Sequence, residues 1–133
     1  MLLTSLLALA LSAEPSDVVK LKDAPRYAIA EDQGEVSLLV QKDVAVSKLT
    51  LKPGAKVPEH THDASETLVV LEGTSTVTLR GTTYVLVAGD TLYIPKGEKH
   101  SAQVPVDAKA PFVAVQIYSP AGPEQRFTKG KKL

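Results

Sequence analysis

Short runs of β-forming residues, cut by turn signals every several residues, dominate this sequence between residues 36 and 119. Runs at 36–40, 44–51, 67–71, 75–79, 83–87, 91–94, 101–104 and 112–118 each have strand length. Arg80-Gly81-Thr82, Ala88-Gly89-Asp90 and Pro95-Lys96-Gly97-Glu98 turn the chain between them. No helical period persists beyond the N-terminal segment. About eight strands at this spacing predict an all-β sandwich or barrel. Residues 20–34 fit no single element, 107–111 read as a loop, and 129–132 read as a frayed basic tail.

At 133 residues the chain is one domain. Its 15 basic and 15 acidic side chains cancel, which argues against a nucleic acid as partner, since phosphate backbones select excess positive charge. With no cysteine it has no disulfide framework, thiolate metal site or cysteine nucleophile.

Residues 1–13 carry no charged side chain and are rich in Leu, followed by the small residues Ala8, Ala10, Ser12 and Ala13. The run is too short to span a bilayer, which needs about 20 residues. It suits the apolar core of a signal peptide, although no Lys or Arg opens it. The expectation is an exported protein, periplasmic or secreted, with a mature domain from residue 14 to 133; without cleavage the protein stays cytoplasmic.

The chemistry rests on the histidines: His60, His62 and His100. Positions i and i+2 of a strand share a face, so His60 and His62 can reach one point. Glu66 has the same parity and joins them if the strand resumes in register. His100 follows a Pro-x-Gly turn and could close over the same point from another strand. Three imidazoles and a carboxylate suit one divalent transition metal, Fe, Mn, Zn, Ni or Co, and are too nitrogen-rich for Ca or Mg.

Gly54-x5-His60-x-His62-x3-Glu66-x6-Gly73, then Gly89-x5-Pro95-x-Gly97-x2-His100, resembles the two sequence motifs of the cupin superfamily. Fifteen residues, 74–88, separate the two motifs. The resemblance implies a cupin-type jelly-roll β-barrel with its core over about residues 36–119, and metal-ligand roles for His60, His62, Glu66 and His100. It also implies a homodimer, with residues 18–39 and Val44 as the expected contact. Where the family's second motif often carries Asn, this chain has Val104.

By strand alternation Glu66 inward brings Leu68 and Val70 inward, and His100 brings Ala102 and Val104. The chamber is thus expected to be mostly apolar, with no inward Arg or Lys. That ranks a phenolic, diketone-like or small carboxylate ligand above a phosphosugar. Gln116 and Tyr118 share a face with Phe112 and Ala114; facing inward they bind substrate or a water on the metal, facing outward they are surface. Tyr84 and Tyr93 are packing or pocket residues. Residues 120–127 are a surface loop, a lid or a dimer contact. The functional expectation is a small metalloenzyme, dioxygenase- or isomerase-like, acting on a small oxygen-bearing organic molecule. The alternative is a non-catalytic, metal-anchored ligand-binding or sensing module. No membrane span is expected.

Overall fold

The structure, a computed structural model, describes residues 17–133. The apolar run at 1–13 and the domain boundary at 14 lie outside the described residues. Ten strands form two antiparallel sheets of a jelly roll. The larger sheet has the order β1 (Arg26–Ile29), β2 (Gly34–Gln41), β3 (Ala45–Leu51), β10 (Phe112–Ser119), β5 (Ser65–Glu72), β8 (Thr91–Ile94). The smaller has β4 (Lys56–His60), β9 (His100–Gln103), β6 (Thr74–Leu79), β7 (Thr82–Val87). A 3-10 helix at Leu21–Asp23 precedes β1, and a 3-10 segment at Pro123–Lys129 follows β10.

Alternation decides which face each strand buries. In β3 the residues Ala45, Ser47, Leu49 and Leu51 point inward, and in β5 Glu66, Leu68 and Val70 do. The main core lies between the sheets, where Leu51, Val70, Val77, Ile94, Val104 and Phe112 are almost fully buried. Each such side chain stabilises the fold by about 1.5–3 kcal/mol. Leu68, Val70 and Val104 are therefore inward as expected, and Ala102 packs against the same cluster.

Two strands go beyond the eight expected. β1 emerges from the open segment 20–34 and joins β2 through a turn in which Ala30, Glu31 and Asp32 all take positive φ, 50°, 53° and 65°. Such a left-handed run costs non-glycine residues energy, and the β1–β2 pairing on either side holds it. β4 contains Pro58, which removes a ladder donor and hides the strand from pattern reading. The strand survives at an edge of its sheet, with its pairing to β9 shifted between Val57 and His60.

The basic tail is not frayed. Ala28 N–H donates to Lys131 O (2.8 Å), Leu133 N–H donates to Arg26 O (2.9 Å), and Lys132 bridges Tyr27. The C-terminus thus runs along β1 and covers that edge of the larger sheet. Tyr84 and Tyr93 are exposed, so they are not part of the core.

Candidate metal centre

Four elements bring the site together. His60 ends β4 and pairs across the strands with His100, the first residue of β9. Their ring centres lie 4.2 Å apart. His62 is not on the same strand as His60, contrary to the expectation: β4 stops at His60, and His62 sits in the loop to β5. The Pro-x-Gly turn fixes that loop, because Gly97 N–H donates to His62 O (3.0 Å). Gly97 does so at φ 78°, a conformation that costs glycine least. Each histidine thus reaches the centre by a different route. Their ligating nitrogens still fall within 4.8 Å of one another.

The hydrogen bonds settle which nitrogen faces the centre. Nδ1 of His60 bonds Pro58 O (2.8 Å), Nδ1 of His62 bonds Ala64 O (2.9 Å), and Nδ1 of His100 bonds Glu98 O (2.9 Å). A carbonyl only accepts, so each Nδ1 carries the proton. In the neutral imidazole each Nε2 then holds a lone pair. This is the outer-shell arrangement that orients metal-ligating histidines.

Glu66 completes the cluster. Its Oε2 lies 2.9 Å from His62 Nε2 and 3.5 Å from His100 Nε2. The second contact is too long to satisfy His100, whose buried Nε2 has no hydrogen-bond partner among the described residues. Two lone pairs cannot face each other at 2.9 Å without repulsion. Either a proton or a cation must stand between them. The donor set fits a divalent metal on that observation.

Electrostatics point the same way. Burial pushes the Glu66 carboxyl up, but the imidazoles of His100 and His62 outweigh it and hold the group down at about 2. Burial lowers His60, helped by His100 and Arg126 against the Pro58 carbonyl bond, so this ring stays neutral. Burial also pulls His100 down, yet Glu66 and the Glu98 carbonyl leave it raised.

Gln116 and Tyr118 face inward, which sequence alone left open. Gln116 Nε2 donates to Glu66 Oε1 (3.0 Å) and to Tyr118 Oη (3.2 Å), while its Oε1 accepts from Ser47 Oγ (3.1 Å). Gln116 therefore fixes one Glu66 oxygen and leaves the other to the histidines. Burial pushes the Tyr118 phenol well up, and its ring meets His62 edge-on at 5.1 Å.

The expectation of no inward Arg or Lys fails. Arg126, on the C-terminal 3-10 segment, donates from Nη2 to Tyr118 Oη (3.1 Å) and lines the chamber. Residues 120–127 are thus a cover over the site, with Glu124 and Phe127 buried. The inner chamber is a cavity of about 60 Å³ bordered by His60, Glu66, His100, Gln116 and Phe112. It opens past Ile29, Val57, His60, Arg126 and Phe127 into a vestibule of about 450 Å³.

A family profile described as a cupin domain matches residues 47–116. Among solved structures, an RmlC-like cupin from Shewanella frigidimarina shares 21% identity over 84% of this chain and 96% of its own, with a TM-score of 0.72. KdgF from Halomonas sp. shares 18% identity over 84% of this chain and 99% of its own, with a TM-score of 0.71. A predicted oxalate decarboxylase from Thermotoga maritima shares 21% identity over 77% and 98%, with a TM-score of 0.67. At such identities the likeness is one of fold. No curated protein sequence matches the chain.

Proposed function

From the premise that this chain belongs to the cupin superfamily, we propose that it binds one divalent transition metal, Fe, Mn, Zn, Ni or Co, through His60, His62, His100 and Glu66. We further propose that it acts there on a small oxygen-bearing organic molecule. The observation that carries the reading is the convergence of three Nε2 atoms whose Nδ1 partners are all backbone carbonyls. Such an ion, when bound, supplies Lewis acidity at an oxygen of the ligand.

This chain's residues supply the rest. Gln116 orients Glu66, and Ser47 in turn holds Gln116. Leu49, Leu68, Val77 and Phe112 line the chamber and exclude water. The inner cavity is too small for an organic body, since ligand pockets typically measure about 300–1,000 Å³. The vestibule has that size. The ligand's reacting end thus enters the chamber while its body stays outside.

A non-catalytic binding or sensing module is the second reading. Its support is that Glu66, Gln116 and Tyr118 are already engaged with one another or with the histidines, so among the described residues the chamber offers no uncommitted carboxyl or phenol for proton transfer. The test is metal analysis of the purified protein and of His62→Ala. We expect one metal per chain in the wild type and most of it lost in the variant, with the β circular dichroism unchanged. Full metal retention in His62→Ala overturns the ligand set. Turnover of a small oxygenated substrate by the metal-loaded protein separates the enzyme from the module.

A further inference from the structure

The C-terminal 3-10 segment sets a guanidinium where the inner chamber meets the vestibule. Arg126 lines both spaces. Its Cζ stacks 4.8 Å over the Phe127 ring and 5.9 Å from the Tyr118 ring centre, and among the described residues its one side-chain hydrogen bond goes to Tyr118 Oη. Aromatic faces and a phenol fix the position of the group but bring no counter-ion. Among the described residues Arg126 makes no ion pair. Glu59 also borders the vestibule, but it is exposed and not paired with the guanidinium.

The remaining N–H donors of this fork are therefore available to a ligand. The walls around them, Ala28, Ile29, Val57, Pro58 and Phe127, are apolar. A positioned, half-buried cation in an apolar vestibule selects an anion with an apolar body. Among the described residues no Lys and no second Arg borders either space, so the Arg126 subsite balances one negative charge rather than the two of a phosphate monoester.

We infer that Arg126 is the specificity-determining residue of this site and that its ligand is a small monocarboxylate with an apolar or aromatic body. The carboxylate sits on the guanidinium, and another oxygen of the ligand is directed at the histidines. The second half of that statement rests on the proposed function; the Arg126 subsite does not.

The test uses 3-phenylpropanoate, its neutral amide and phenyl phosphate as probes, titrated calorimetrically into the metal-free and the zinc-loaded protein. In the metal-free protein the carboxylate should bind about tenfold more tightly than the amide, the margin of a charge-assisted hydrogen bond. Arg126→Gln should remove that margin and leave amide affinity and zinc stoichiometry unchanged. Arg126→Lys should retain part of it, which also controls for misfolding. Equal binding of acid and amide by the wild type overturns the inference. So does undiminished carboxylate affinity in Arg126→Gln, or tighter binding of phenyl phosphate than of the carboxylate. A wild type that takes up no zinc overturns the proposed function instead, and the metal-free comparison still reads Arg126.

Discussion

At the scale of single residues, Glu66 is held through both of its carboxylate oxygens. It is 3% exposed, it faces two imidazoles through one oxygen, and Gln116 holds the other. Gln116→Leu keeps the volume but frees Glu66 Oε1 and leaves Ser47 Oγ without its partner. A buried polar group stranded in this way costs about 1–3 kcal/mol, readable in urea denaturation of the metal-free protein. Loss of such an outer-shell partner also weakens metal affinity by about 10–100-fold, readable by chelator competition. Wild-type affinity in that variant would remove Gln116 from the site. The protonation states set a second expectation. His100 is raised, so in the metal-free protein it keeps its proton to above 6.5, and a metal must displace that proton. Glu66 is depressed to about 2 and stays ionised throughout, so the carboxylate does not compete. Metal affinity should therefore fall steeply as pH drops from 7 to 5. A flat profile over that range would sink the histidine assignment. The sign for folding is separate. Because the folded-state value of Glu66 lies below its ordinary 4.5, its contribution to stability is present above 4.5 and is lost as pH falls toward about 2.

At the scale of elements, the candidate ligands and the cover come from different parts of the chain and meet through the hydrogen bonds of Tyr118 and Gln116. His60, His62, Glu66 and His100 come from β4, the β4–β5 loop, β5 and β9, whereas Phe127 belongs to the C-terminal 3-10 segment. Phe127 is buried against Val36, Leu38 and Tyr118 in a small second core. Phe127→Ala should cost about 3 kcal/mol in chemical denaturation, the range of a large-to-small core change. Metal stoichiometry should stay at the wild-type value, and a coordinate loss of metal would show that the cover helps to build the site. This division also explains what the sequence disclosed. The four site residues were legible because they lie at fixed spacings around Gly97 and Gly73, two turns that require positive φ; a Cβ at Gly73 would lie 2.3 Å from Pro111 O. The facing of Gln116 was not legible, because β10 lies between β3 and β5 and is apolar along both faces, so alternation gives no sign. Arg126 was hidden for another reason. A short 3-10 segment has no period, and its position depends on the tail that pairs with β1. β4 was concealed by Pro58, and its pairing with β9 shifts register beside that proline, between Val57 and His60.

At the scale of the whole molecule, the remaining question is how the jelly roll covers its apolar outer surface. The outer edge of β1 is already occupied by residues 131–133, which blocks simple strand addition there and leaves side-chain packing as the way two chains can meet at this end. Val19 and Leu21, before β1, and Val44, between β2 and β3, are exposed at 46%, 46% and 37%. Tyr84, Val85 and Val87 are exposed on β7, an edge strand of the smaller sheet, with Val85 at 65%. Apolar side chains grouped in this way mark contact surfaces, and closed two-fold pairs are the commonest soluble assembly. The expected state is a homodimer through the N-terminal group. Sedimentation equilibrium at micromolar concentration should give about twice the mass of one chain. Leu21→Lys should bring that mass to a monomer, because a dimer core tolerates an unpaired charge poorly. Val85→Lys, on the other sheet, should leave the dimer intact. The reverse pattern would move the contact to β7, and a monomeric wild type would remove the dimer altogether.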